Sequence, residues 1–429
     1  MMTYQSPIAP GISFYEATIS DRPAYPALSG PATADVVIVG GGFTGLQAAH
    51  HLAASGKDVV LIDGARFGDG ASGRNGGQLG TGQRAWVEES AEDFGPDNAK
   101  AQFAVAERAK AHLLAFAEAH GIDADYRPGQ ISAAHKPGYV ADYRDHVKIM
   151  TEEYGYQGLR FLDREQLAAA LGSTRYHGGT HDAGTGHINP LKYLVGLARA
   201  ASVAGARLHE NTRARAISSA GGKVTVKTDA GDIVAGKALI ACNAFIDGLE
   251  PVTSAHVMPI RSFIGATVPL GDDSPVIPGG ESVDDSRFVV RYFRKSADGR
   301  LLFGGREAYT SDNPADISSH IRRQIAEIYP ALKDVEITHS WGGSVGITLS
   351  RRPFVREVMP DVTSIGGFSG HGVMLSNYCG KLYADFVNGG SDDLEVMRNL
   401  KVGPFPGGDK LRAPLLFLAL TWFSLRDKL

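Results

Sequence analysis

The hydrophobic pattern of this chain divides it into elements of recognisable type. Residues 36–39 form a continuous apolar run, as a strand covered on both faces requires, and lead directly into Gly40-x-Gly42-x-x-Gly45. Leu46, Ala49 and Ala53 then share one face at helical spacing, and Gly56 ends the pattern. A second apolar run, 59–62, follows, and the acid Asp63 closes the unit. Strand, helix and strand in this order predict a βαβ unit. Residues 85–120 are rich in strong helix formers and stop at Gly121, which predicts long helices. Residues 122–170 alternate short strand and helix signals. A helix is expected within 189–210, opened at Asn189 or Pro190, ended at Gly205 and followed by a strand. Residues 224–244 read as a hairpin turning near 229–232 and leading into a buried strand, 238–242. Strand-like runs at 263–268, 288–293 and 301–303 suit an antiparallel sheet.

These elements predict an α/β protein. A Rossmann-like cofactor-binding domain is expected from 35–100, 170–245 and 341–429. It is interleaved with an antiparallel-sheet substrate domain from 101–169 and 246–340, after an N-terminal arm, 1–34. No internal repeat of solenoid length is visible.

The glycine pattern carries the first chemistry. Gly40 makes a tight turn, Gly42 lets the backbone approach a pyrophosphate, and Gly45 lets helix and strand pack closely. The amides opening the helix, at Phe43 and Thr44, attract phosphate, and Asp63 can accept hydrogen bonds from a ribose diol. The chain holds 53 glycines, so the triplet alone decides little. Strand, helix, second strand and acid at the right spacing identify a dinucleotide site. Six further glycines fall between Gly64 and Gly77, among Arg66, Ser72, Arg74, Asn75 and Gln78. Such a loop keeps its backbone open to an extended planar cofactor.

The fingerprint, the GASGRNGGQ loop (70–78) and the GGFSGHGV segment (366–373) together resemble the FAD-dependent amine and D-amino-acid oxidase family, and within it the gamma-glutamylputrescine oxidase group. The endings FPGGDKLRAP (405–414) and FSLRDKL (423–429) are similar to that group's. The resemblance spans most of the chain and implies FAD, more readily non-covalent than covalent. It implies cofactor contacts at Gly40, Gly42, Phe43, Thr44, Gly45, Asp63, Gly64 and Arg66, and at Ser72, Gly73, Arg74, Asn75, Gly76, Gly77 and Gln78. Further contacts are implied at Ala214 and at Gly370, His371, Gly372 and Val373. The amides opening the helix after Gly372 would face the flavin edge where negative charge collects. His371 is a candidate to bond the flavin or guard the substrate mouth, and equally a structural loop histidine.

The implied activity is oxidation of an amine to an imine, which hydrolyses to an aldehyde and ammonia, with molecular oxygen becoming hydrogen peroxide. Relatives acting on α-amino acids hold the carboxylate with an arginine where this chain reads WGGSVGITLSRRPF (341–354). Small and apolar residues, Ser344 to Ile347, occupy that place. This favours an extended amine such as gamma-glutamylputrescine over a cyclic or N-substituted amino acid. Arg291 and Arg294 are candidate outer-pocket anchors, Tyr292 a candidate lining or catalytic residue, and Arg351 an alternative carboxylate ligand. Asp63 stands where the family more often has Glu. RLLFGGRE (300–307) lacks a lysine that assists oxygen in some relatives, which leaves open a dehydrogenase passing electrons to a quinone or carrier. The apolar stretch 413–423 would be its docking surface.

Composition narrows the remainder. A net charge of −4 without basic blocks argues against nucleic-acid partners. Two cysteines, Cys242 and Cys379, make no disulfide framework and suit a reducing, cytoplasmic compartment. The N-terminus has neither the basic nor the apolar region of a signal peptide, and the 413–423 run is too short to span a bilayer. His177, His181 and His187 crowd one loop without ligand spacing, so no metal is expected, and no GxSxG elbow is present. His50 and His51 read as packing or surface residues. Cys379 is a conceivable thioether site, though a buried inert thiol is the commoner case.

Overall fold

A computed structural model describes residues 4–308 and 316–406. Two eight-stranded sheets organise them. In the first, the spatial order is Phe354–Met359, Val362–Gly366, Gly231–Ile240, Ala32–Val39, Val59–Ile62 and Arg207–His209, with the hairpin strands Ala214–Ala220 and Lys223–Thr228 added beside Gly231–Ile240. The central pairings are parallel. Parallel strands covered on both faces need unbroken apolar runs, and Val36 to Val39 and Val59 to Ile62 are buried throughout.

The fingerprint helix, Phe43–Ala54, leaves the end of Ala32–Val39 through a glycine turn. Gly40 has φ +114°, and a Cβ there would meet the Ala241 carbonyl oxygen at 2.6 Å. A Cβ on Gly45 would lie 1.9 Å from the Gly40 carbonyl oxygen, so only glycine lets the helix start against its own strand. The helix Val373–Asn388 and the long helix Pro96–Ala119 share one apolar core with the fingerprint helix, joining Leu46 and Leu52 to Leu113, Phe116, Leu375 and Leu382.

The second sheet runs Ile337–Ile347, Met258–Pro269, Arg300–Ala308, Tyr292–Lys295, Ser282–Asp285, Arg127–Ala133, Gly179–His187 and Leu159–Leu162. It is antiparallel except where Ser282–Asp285 runs parallel to Arg127–Ala133. The helix Ile317–Ile328 buries Ile321, Ile325 and Ile328 against it.

The structure redraws three expectations. The long helix packs in the first core, although the sequence pattern places residues from 101 onward in the substrate domain. Gly179–His187 and Ile337–Ile347 hydrogen-bond within the second sheet, although 170–245 and 341–429 were assigned to the cofactor domain. The expected strand at 288–293 is mostly a loop. Asp285 accepts the amides of Arg287 and Arg291, closing a turn that delays the strand to Tyr292–Lys295. Among the described residues no helix is long and apolar enough to cross a membrane, and the stretch 413–423 lies outside them.

Four histidines meet between the fingerprint helix and the long helix. The His50 ring is 5.0 Å from His51 and 4.8 Å from His120, and His51 is 5.4 Å from His112. Burial lowers His50, His51 and His112, the second to about 3 and the third to about 4, with Lys381 adding to those two. A histidine held neutral in the folded state contributes its full stability above the unfolded value near 6.5 and loses it as pH falls through the folded value. Thermal stability should therefore decline from pH 6.5 toward about 4, by up to about 1.4 kcal/mol per pH unit for each such group. His51→Phe should flatten that slope in a pH series of melting curves. An unchanged slope would remove the cluster from the explanation.

Candidate functional site

A cavity of about 340 Å³ opens at the carboxyl ends of the central parallel strands. Gly40, Gly41, Gly42, Asp63, Ser72 and Ala214 line it, together with Cys242 and Asn243. This is where an open α/β sheet binds its ligand. Gly42 caps the fingerprint helix without a side chain, so the positive end of the helix faces the cavity. The Phe43 amide donates to Ser72 Oγ at 3.1 Å, which locks the helix start to the glycine-rich loop.

Asp63 accepts the Gly41 amide on one oxygen at 2.7 Å and the Ala65 amide on the other at 2.9 Å. Burial raises it to about 6 against those two bonds. Each oxygen keeps a further lone pair, enough for a ribose diol. The glycine-lined wall, the helix end and the acid fit the adenosine-diphosphate half of FAD. A larger open groove of about 600 Å³, lined by His120, Lys192 and Arg199, shares no residue with this cradle. Its cations pair with Asp125 and Asp21.

The polar side chains expected at the cofactor are spent on holding the loop. Arg74 donates from Nε to the Gly342 carbonyl at 2.7 Å and from Nη2 to those of Pro10 and Gly11. Burial lowers it to about 10. Asn75 bonds the carbonyls of Ala71 and Ser72 and accepts the Gly77 amide. Gln78 donates to the Val283 carbonyl. Gly73 packs on Gly68, and Gly76 lies under the Tyr292 ring. Gly64 stands exposed beside Arg213. Arg66 turns to the arm instead, over the Tyr4 ring and paired with Glu16 at 3.0 Å. Arg66 and Arg74 are therefore struts, and the loop offers backbone to whatever lies along it.

The strand Val362–Gly366 ends in a second glycine-rich turn. Gly370 has φ +87°, Gly372 caps the helix, and Val373 begins it. His371 lies against Gly80 and bonds the Gly82 carbonyl through Nε2 at 3.0 Å. A carbonyl only accepts, so Nε2 carries the proton. Burial lowers this histidine to about 4, with Arg84 adding to the effect, and it stays neutral. It fastens one loop to the other.

The candidate substrate residues separate. Tyr292 meets Ser262 Oγ at 3.1 Å on the face toward the loop. Arg294 shares that face, buried, and donates to the Gly76 and Ile188 carbonyls. Arg291 points oppositely and pairs with Glu327. Arg351 lies over the Phe288 ring. Neither Arg291 nor Arg294 is an open anchor: Arg294 is held by carbonyls, and Arg291 is buried with Nη2 on Glu327 and Nη1 enclosed without a partner among the described residues. The sequence pattern gave no sign of Asn243, whose φ of +46° beside the cavity marks a special turn. His181 pairs with Glu281, and His187 bonds the Gly280 carbonyl. Among the described residues no three His, Cys, Asp or Glu side chains are grouped to hold a metal.

Cys379 is buried within the apolar core, its thiol pushed up to about 12 by that burial. Acid precipitation of the purified protein should therefore release the flavin into the supernatant. Flavin that stays with the pellet, and leaves it in Cys379→Ser, would reverse this. Gly45→Val and Arg74→Met should both yield protein depleted in flavin, the first by pushing helix from strand, the second by freeing the loop. Full flavin content by absorbance in either variant would contradict the assigned role.

Residues 35–386 match the family described as FAD dependent oxidoreductase, abbreviated DAO. The chain is 62% identical to "Probable oxidoreductase OrdL" of Rhizobium meliloti, each covered in full. It is 33% identical to "Gamma-glutamylputrescine oxidoreductase" of Escherichia coli, over 97% of this chain and 98% of the relative. Among solved structures, glycine oxidase from Geobacillus kaustophilus superposes with a TM-score of 0.73 at 22% identity, covering 84% of this chain and 96% of that one. The glycine cradle, the interleaved sheets and these matches agree: the chain belongs to the DAO family of FAD-dependent oxidoreductases.

Proposed function

We propose that this oxidoreductase oxidises an extended amine of the gamma-glutamylputrescine type at the carbon bearing its free amino group. The overall reaction consumes one amine, one dioxygen and one water, and yields one aldehyde, one ammonia and one hydrogen peroxide. FAD, when bound, supplies acceptance of a hydride equivalent. The chain's part is to hold the substrate, exclude water and set the electrostatics of the site.

The observation that carries this reading is the wall formed by Ile337–Ile347. Across Ser344 to Ile347, where the family resemblance would put an α-carboxylate clamp, the strand carries no cation, and Val345 pairs in register with Ile260. The following arginines do not replace the clamp. Arg352 is buried over the Phe94 ring and paired with Asp93 at 2.7 Å, and Arg351 covers Phe288. A substrate with a carboxylate on its reacting carbon would meet no cation from this segment. The Escherichia coli relative's name supports an amine whose carboxylate is remote from the reacting carbon.

The helix Val373–Asn388 presents its positive end at the glycine turn and favours negative charge there. His371 gives its Nε2 proton to the Gly82 carbonyl, and burial that lowers it to about 4 makes its remaining nitrogen a weak base toward a substrate ammonium. The reacting amine should therefore have to arrive neutral. The value of kcat/KM should rise with pH until the substrate ammonium has titrated, with no inflection from His371.

The test is anaerobic bleaching of the flavin against a panel of amines, followed by peroxide measurement in air. Gamma-glutamylated diamines should bleach it fastest and yield peroxide. Rapid bleaching by pipecolate or sarcosine, with none by gamma-glutamylputrescine, would replace this reading with an amino-acid oxidase. Reduction without peroxide would point to a carrier as acceptor.

A further inference from the structure

Asn243 stands where three parts of the molecule meet. The strand Gly231–Ile240 runs parallel between Ala32–Val39 and Val362–Gly366, and the chain leaves its carboxyl end through Ala241 and Cys242 into the short turn Asn243–Phe245. That end forms the rim of the cofactor cavity, and Asn243 lines it together with Gly40 and Gly42. The side chain reaches the second glycine turn, where the Gly367 amide donates to Asn243 Oδ1 at 2.8 Å. Gly346 of the strand Ile337–Ile347 packs on the same oxygen, so closely that a Cβ there would overlap it. Cradle, second glycine turn and substrate-sheet strand therefore share one amide.

The backbone is bent to allow this. Asn243 has a φ of +46°, in the left-handed region that asparagine enters more readily than most residues. Gly366 comes close behind it, and a Cβ on that glycine would lie 3.1 Å from Asn243 Cα. Two further bonds close the junction. The Ser369 amide donates to the Gly346 carbonyl at 2.9 Å, and the Thr348 amide donates to Ser369 Oγ at 3.2 Å. The second glycine turn and the substrate-sheet strand are thus tied to each other, and Asn243 ties both to the cradle.

These contacts fix which way the amide faces. A peptide N–H only donates, so the atom opposite Gly367 is the oxygen, and the NH2 group is the other branch. Nδ2 has no hydrogen-bond partner among the described residues and is not sealed inside the protein. A side-chain amide pinned through its oxygen offers a preset donor, with little ordering left to lose when a ligand arrives. The cations Arg213 and Arg215, which also line the cavity, differ in this respect. Both are exposed and pair with Asp247 and Asp229.

We propose that Asn243 binds the cofactor directly, Nδ2 donating to an acceptor oxygen of FAD, pyrophosphate or ribityl, where the dinucleotide leaves the cradle for the second glycine turn. The cradle fits the adenosine-diphosphate half, and a molecule extended from it toward Gly367 passes the residue that touches both. Because Oδ1 holds the turn and abuts Gly346, the same amide sets the cofactor in register with the strand that walls the substrate. This assignment is independent of which amine is oxidised.

Two variants separate donor from acceptor. Asn243→Asp keeps an oxygen for the Gly367 amide and loses the donor, whereas Asn243→Gly keeps the positive φ and loses both. Each residue accepts that conformation, so both variants should fold, with melting temperatures near wild type in saturating FAD. Release of FAD from the holoenzyme, followed as the rise of flavin fluorescence on dilution, should be about 10-fold faster in each, the size of a lost hydrogen bond. The Asn243→Asp effect should persist in about 1 M KCl, where charge repulsion is screened within about 3 Å. Displacement by ADP identifies the oxygen. An unchanged preference between ADP and FAD assigns the pyrophosphate, and a shift toward ADP assigns the ribityl chain. If Asn243→Asp releases FAD at the wild-type rate while Asn243→Gly is faster, the residue is a strut for the turn and the proposal is overturned. Wild-type release from Asn243→Gly, or an Asn243→Asp effect that salt abolishes, overturns it as well.

Discussion

The loop that follows the fingerprint runs through the interior with few side chains, and an interior backbone must have its carbonyls paired. Two buried guanidiniums do this work. Arg74 reaches out of the loop to the carbonyls of Gly342, Pro10 and Gly11, and Arg294 reaches into it from the second sheet to that of Gly76. Trp341 donates to the Arg74 carbonyl and Tyr15 to that of Asn75, so every contact crosses between the two sheets or the arm. Leaving one such acceptor unpaired costs about 1–3 kcal/mol. The relative position of the sheets, and with it the space between cofactor and substrate, depends on these few bonds.

This explains a division of labour between backbone and side chain. Ser72, Arg74, Asn75 and Gln78 look like ligands in the sequence because polar residues in a glycine-rich loop commonly are. In the fold all four side chains bond the protein, and Ser72 and Asn75 bond within a few residues of the cavity. Apart from Ser72, what this loop offers the cavity is mostly glycine and alanine, which suits a close approach of its backbone to a cofactor. His371 belongs to the same arrangement: its proton goes to the Gly82 carbonyl and ties the second glycine turn to the first loop.

The fingerprint was legible because its physics is local. Turn, helix start and helix–strand contact all fall within residues 40–45, and apolar periodicity reports the strands beside them. Sheet membership was less legible. Residue type shows that 96–119 can be a helix and says nothing of which neighbour it will cover, while the histidine-rich stretch around 181 and 187 reads as a loop and is in fact a strand whose burial does not alternate. Gly179–His187 joined the second sheet by pairing with Arg127–Ala133, some fifty residues earlier, and the long helix turned Leu113 and Phe116 onto the first core. The arginines of the strand Tyr292–Lys295 and its entrance show the same limit. Alternation puts Arg291 and Arg294 on opposite faces, yet only the fold reveals that Glu327 waits on one side and two carbonyls on the other.

The interior charges then acquire a direction. Lys110 is pinned to Thr81 Oγ1 and the Gly184 carbonyl and paired with Glu107 at 2.9 Å, and it adds to the lowering of His371. With the positive end of the helix Val373–Asn388 at the same turn, this region favours anions and keeps the imidazole neutral. Since the donors at the turn are backbone and pinned side chains, little of that potential is lost to reorganisation when charge develops. Binding and the electrostatics of the reaction are thus set by the same contact between sheets that Arg74 and Arg294 hold in place.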